Sequence, residues 1–115
     1  MKKDPQIFLK HIIESIEEIE NYTKDQDKEK FRKHNMMQDA VIRRIGIIGQ
    51  AVKNLPLSFR KKHIHIMWKE IAGMRDILIH DYFGVNIDLV WETVKKDIPK
   101  LKKQIENLIS NHKII

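Results

Sequence analysis

With 115 residues the chain can build one domain around one core, and its 42% apolar and 33% charged residues supply enough surface to bury for disorder to be excluded. The net charge of +6 and pI near 9.6 favour anionic partners such as nucleic acid, although a solvated lysine-rich surface is the plainer reading of charge alone. The absence of cysteine excludes disulfides, thiolate-held zinc and a cysteine nucleophile, and no apolar run approaches the ~20 residues that span a bilayer.

The amino-terminal segment "MKKDPQIFLKHII" has basic residues but no continuous apolar stretch and no cleavage site of a secretory leader, so a cytoplasmic address is expected. The first helix is predicted to start at Asp4-Pro5, a capping residue followed by proline in the first turn. Phe8, Ile12, Ile16 and Ile19 then form an apolar stripe at helical steps. The polar stretch "TKDQDKEK" (23–30) reads as a connection with a short helix at its end. A second long helix is predicted from Asn35 to Asn54, with Met37, Val41, Ile45, Ile48 and Val52 on one face and Pro56 closing it. Residues 55–66, "LPLSFRKKHIHI", read as a basic connection.

A third long helix is expected from Trp68 to Tyr82, stopping near Gly84. Asn86 caps the next, Asp97-Ile98-Pro99 reads as a break and restart, and the last helix uses Leu101, Ile105, Leu108 and Ile109, with Lys100, Lys102 and Lys103 facing water. No strand alternation or repeat is visible. The predicted fold is all-α, a four- to five-helix bundle forming a single domain over residues 1–115.

The third long helix carries the anomaly. On a wheel of ~100° per residue, Trp68, Ile71, Ala72, Arg75, Leu78, Ile79 and Tyr82 share one face. Arg75 sits in the middle of that apolar stripe and therefore requires an anion or a wet crevice. His80 lies roughly 140° away on a regular helix, and joins Arg75 only if the helix loosens towards Gly84 or if two copies of the chain build the site. Each residue also has an ordinary reading. Arginine pairs with a nearby carboxylate, tyrosine rests its hydroxyl at a core edge, and histidine favours a helix C-terminus.

The spacing Arg75-xxxx-His80-x-Tyr82 resembles the R-x4–6-H-x-Y signature of HEPN-domain ribonucleases. The flanks "QDAVIRRIGIIGQAVKNLP" (38–56) and "WKEIAGMRDILIHDYFGVNIDLVWETVKKDIPKLKKQI" (68–105) resemble the HepT type, the toxin half of the HepT/MntA toxin–antitoxin pair. The resemblance implies a helical HEPN-like fold and homodimers whose motif helices meet in a cleft. It implies a type VII-like toxin that cleaves RNA without a metal or other cofactor. It implies a partner nucleotidyltransferase of the MntA type that attaches AMP to the motif tyrosine, here Tyr82. By motif position, Arg75 and His80 are catalytic, and Asp76 occupies a supporting polar position. Two positions depart from the pattern: Gln50 stands where glutamate is common, and Met67 where proline is common. The missing carboxylate is one that would partner Arg75 or His80.

These residue types suit RNA cleavage, because RNA carries its own nucleophile in the 2′-hydroxyl. Histidine moves protons near neutral pH, and arginine's planar fork binds two phosphate oxygens. The expected products are a 2′,3′-cyclic phosphate and a 5′-hydroxyl. Tyr82 would position phosphate or RNA. His63 and His65 make a poor metal site, alternating in a connection without a nearby carboxylate. Arg60, Lys61 and Lys62 either grip RNA backbone or form a solvated loop. Two rival classes stay open: a non-catalytic accessory subunit of a nucleotidyltransferase, and a dimeric helical scaffold with a buried Arg–Asp pair.

Overall fold

The computed structural model describes residues 4–79 and 86–113. His80, Tyr82, Gly84 and the closing Ile114-Ile115 pair lie outside the described residues, so the expectations attached to them are not addressed by it. Helix α1 spans Pro5–Thr23, α2 Lys28–Arg32, α3 Asn35–Asn54 and α4 Leu57–Lys62. Helix α5 follows at Trp68–Ala72, α6 at Met74–Leu78, α7 at Ile87–Glu92, and α8 at Ile98–Lys113 after a π-helical turn over Thr93–Asp97. Among the described residues there is no strand, and the all-α fold expected from the apolar periodicity is the one that forms.

Local chemistry explains the helix starts. Asp4 accepts from the Gln6 N–H at 2.9 Å with Pro5 in the first turn, and Asn86 accepts from Leu89 N–H at 3.1 Å. Asp27 caps α2, and the Nδ1 of His34 accepts from Met37 N–H at 3.1 Å to cap α3. At the far end of α2, buried Gln38 donates to the carbonyls of Phe31 (2.8 Å) and Arg32 (3.0 Å), both in the last turn, where the regular helical bonds run out.

The core follows the predicted stripes. Ile12, Ile16 and Ile19 of α1 are fully buried against Val41, Ile45 and Ile48 of α3, and Ile105 of α8 joins them. The most extensive packing is α1 along α3, with α8 on the outer flank of α1. Phe31 closes one end against Trp91, ring centroids 5.1 Å apart.

Four expectations need revision. The connection over 55–66 contains a short helix, α4, whose Phe59 is buried. Lys102 does not simply face water: it is half-buried and donates to Glu20 of α1 at 2.9 Å. The expected break at Asp97-Ile98-Pro99 is instead a change of winding. Pro99 has no N–H for the carbonyl one turn back, and the wide π turn absorbs the mismatch without ending the rod. The single helix expected from Trp68 onward is divided at Gly73, which sits at φ −93° and ψ 1° between α5 and α6. Glycine is the weakest helix former after proline, and here the chain turns at it.

Candidate functional site

The turn at Gly73 decides where Arg75 goes. The regular wheel puts Arg75 inside the stripe of Ile71 and Leu78. Both apolar residues are indeed buried, but α6 is re-aimed relative to α5, and Arg75 is exposed. Within the single chain, Arg75 is therefore not half of a buried Arg–Asp pair among the described residues. Arg75 has found the wet crevice.

That crevice is an open groove of about 660 Å³ between α3 and α6. From α3 it receives Asp39, Arg43, Gly46 and Gln50, with Ile42 and Ile47 between them. Arg75 of α6 and Ile79, the last described residue before His80, form the other side. The α3 residues recur at the three- and four-residue spacing of one helical face. Among the described residues, neither Arg75 nor Arg43 is in an ion pair.

Gly46 makes the arrangement possible. A Cβ at this position would stand 2.9 Å from Arg75 Cδ and 3.4 Å from Nε, so the arginine stem crosses α3 through a notch that glycine alone leaves. One turn on, a Cβ at Gly49 would stand 2.9 Å from the Ala72 carbonyl oxygen at the end of α5. The two glycines of "GIIG" (46–49) thus set how closely α5 and α6 lie on α3. Sequence reasoning passes over Asp39, Arg43 and Gly46. The signal available is a G-x-x-G pair in mid-helix, each glycine costing about 1 kcal/mol of helix propensity and therefore needing a packing reason.

The other motif residues divide. Asp76 is exposed and is not part of the groove wall, whereas Gln50, a departure from the resembled pattern, is. The chain positions flanking the motif segment are joined, since Asn86 N–H donates to the Leu78 carbonyl at 3.2 Å. Beyond Asn86, α7 is tied to α2 by a forked pair: Arg32 Nε donates to Asp88 Oδ1 at 2.9 Å and Nη2 to Oδ2 at 3.1 Å. Arg32 Nη1 also donates to Glu29 at 2.6 Å. The hydrogen bond from Arg32 holds the Asp88 carboxyl below its ordinary range, and the same bond raises the Arg32 guanidinium. Among the described residues no cluster of histidine and carboxylate side chains could hold a metal ion, and no helix is long and apolar enough to cross a membrane.

Comparison with known proteins points one way. The chain is 63% identical over 105 residues to a protein of Methanocaldococcus jannaschii named "Gamma-glutamylcyclotransferase and putative RNase"; this covers 91% of the chain but 47% of that relative, so the chain spans about half its length. It is 47% identical over 111 residues to a "Putative RNase" of Caldanaerobacter subterraneus subsp. tengcongensis, covering 96% of the chain and 99% of that protein. It is also 47% identical over 108 residues to the "Probable ribonuclease HepT" of Thermococcus cleftensis, covering 94% and 98%. No solved structure matches the chain. Residues 12–108 match the family described as "Ribonuclease HepT-like", and the chain belongs to that HepT-like ribonuclease family.

Proposed function

We propose that this chain is an endoribonuclease toxin of the HepT type, cleaving RNA by attack of its own 2′-hydroxyl and neutralised by a partner nucleotidyltransferase. The observation that carries the reading is the Arg75 guanidinium, exposed and without an ion pair among the described residues, laid across Gly46 into an open groove. The ribonuclease names of relatives that align over most of this chain support it.

In this mechanism Arg75 grips the scissile phosphate through two oxygens and stabilises the charge that builds on them. His80 takes the 2′-hydroxyl proton or protonates the departing 5′ oxygen. In a homodimer the two copies of His80 would divide those tasks. Ile77 (62% exposed) and Met67 (55% exposed) offer apolar surface for such pairing. Tyr82 positions the substrate and is the AMP acceptor, and Asp76 supports the motif from outside the groove wall. AMP on Tyr82 would bring negative charge and bulk to the substrate site and so block it. Because the 2′-hydroxyl is an internal nucleophile, a metal-activated water is not needed.

The test is cleavage of end-labelled RNA in EDTA by wild type, Arg75→Ala and His80→Ala. The expected result is a 2′,3′-cyclic phosphate and a 5′-hydroxyl from wild type, with both variants down by about 10²-fold or more. Full cleavage by His80→Ala sinks the mechanism. Intact mass after incubation with the partner and ATP should show added AMP units that Tyr82→Phe does not gain.

Gln50 favours a second reading. It lines the Arg75 groove where the resembled pattern has glutamate, and an amide cannot take up a proton. On that reading the chain is an accessory subunit that binds nucleotide or phosphate without cutting. Wild type would then be inert on RNA, and Gln50→Glu would gain cleavage.

A further inference from the structure

Arg43 faces the same groove as Arg75 from the opposite wall. With 1.5 Å rise per residue, it sits ~4.5 Å along the α3 axis from Gly46, the point that Arg75 crosses. Both arginines are exposed, and neither is in an ion pair among the described residues. Arg32 shows the contrast, its guanidinium engaged by Asp88 and Glu29. Asp39, four residues before Arg43, places a carboxylate ~6 Å further along the axis. The groove therefore runs from a carboxylate, past two like-charged forks, to the amide of Gln50. Two unneutralised guanidinium groups in one groove repel until an anion lies between them, and a polyanion with regularly spaced phosphates fits both.

We propose that Arg43 is a substrate-binding residue that holds the phosphate next to the one gripped by Arg75, making the α3 face a two-phosphate track for single-stranded RNA that ends at Asp39. The proposal rests on the reading of Arg75 as a phosphate clamp. It adds a residue that binds the strand without taking part in bond breaking, and it gives the strand a direction along α3. A repelling carboxylate at one end stops the backbone there and leaves base or sugar donors to meet it.

The experiment separates binding from cutting. A fluorescein-labelled 2′-O-methyl RNA oligonucleotide, which has no nucleophile, is titrated with the full chain by fluorescence anisotropy across a series of salt concentrations. Arg43→Gln should weaken Kd about tenfold, the effect of one lost charge-assisted contact. It should also lower the slope of log affinity against log salt by about 0.7, one phosphate's worth on a single strand. Arg43→Lys should keep the slope and recover part of the affinity. In steady-state cleavage of ordinary RNA, Arg43→Gln should raise KM far more than it lowers kcat, the reverse of Arg75→Ala. If Arg75→Ala abolishes cleavage while Arg43→Gln alters neither Kd nor slope, the track is wrong and the clamp stands. If wild type binds with the Arg43-dependent slope but never cuts, the track stands and the ribonuclease reading falls. A kcat loss in Arg43→Gln equal to that of Arg75→Ala overturns the binding-only assignment.

Discussion

Arg75 Cδ lies 2.9 Å from where a Cβ on Gly46 would stand, so the position of the groove's key cation depends on a missing methyl group on another helix. What an alanine there would displace is the stem of an exposed, flexible arginine, whereas the backbone has no need to move. Alanine also favours the helix by about 1 kcal/mol over glycine. Gly46→Ala is therefore expected to leave the melting temperature unchanged or raise it, while RNA cleavage falls at least tenfold. Thermal unfolding and a cleavage assay on one preparation check both halves. A variant that keeps full activity would show that Arg75 works from another position.

Gly49 provides the contrasting case on the same helix. Its close neighbour is the Ala72 carbonyl oxygen, 2.9 Å from a would-be Cβ, and backbone cannot swing aside as a side chain can. Gly49→Ala is expected to destabilise the chain by about 1–3 kcal/mol through overpacking, despite the gain in helix propensity. Denaturant unfolding should show a lower midpoint than wild type, opposite in sign to Gly46→Ala.

The contrast shows what is legible in the sequence. The bounds of α3 and the start of α1 can be read because caps and apolar periods are local: Asp4-Pro5 acts within one turn, and Ile45 and Ile48 sit on a stripe that needs no knowledge of its partner. The division at Gly73 cannot be read from a wheel, which assumes a regular helix before any residue is placed. Whether a single glycine bends a helix depends on what presses against it, here the seating of Ala72 on Gly49. Arg75 is conspicuous because a charge in an apolar stripe breaks the pattern. Arg43 and Asp39 are not, since charges on an outer helix face look like any solvated surface until another element forms a groove beside them.

Buried Gln38 holds the end of α2 by two hydrogen bonds to backbone carbonyls, 2.8 and 3.0 Å long. The Phe31 carbonyl also receives the His34 N–H at 3.2 Å, so the loss falls mainly on the Arg32 carbonyl. Gln38→Leu keeps the bulk but leaves that acceptor without its donor. Arg32 is exposed and its bond from Gln38 only part-buried, so the expected cost is about 0.5–1.5 kcal/mol, the net worth of one hydrogen bond. Equilibrium unfolding in urea measures it, and a cost near zero would mean that water reaches the carbonyl.

The Arg32–Asp88 fork gives stability a pH dependence with a definite sign. Asp88 titrates below its ordinary value of 3.8 because Arg32 donates to its charged form. A carboxyl lowered on folding stabilises the folded chain fully above its unfolded value, and that contribution disappears as pH falls through the lower, folded value. Both partners are exposed, so the contribution is modest and screened by salt. Asp88→Asn should therefore melt slightly below wild type at pH 7 in low salt. The gap should hold down to about pH 4, close as the pH drops further, and shrink at neutral pH in molar salt. Melting curves of the two proteins from pH 7 to pH 2 provide the comparison, and a gap that persists at the acid end would assign Asp88 a role other than its charge.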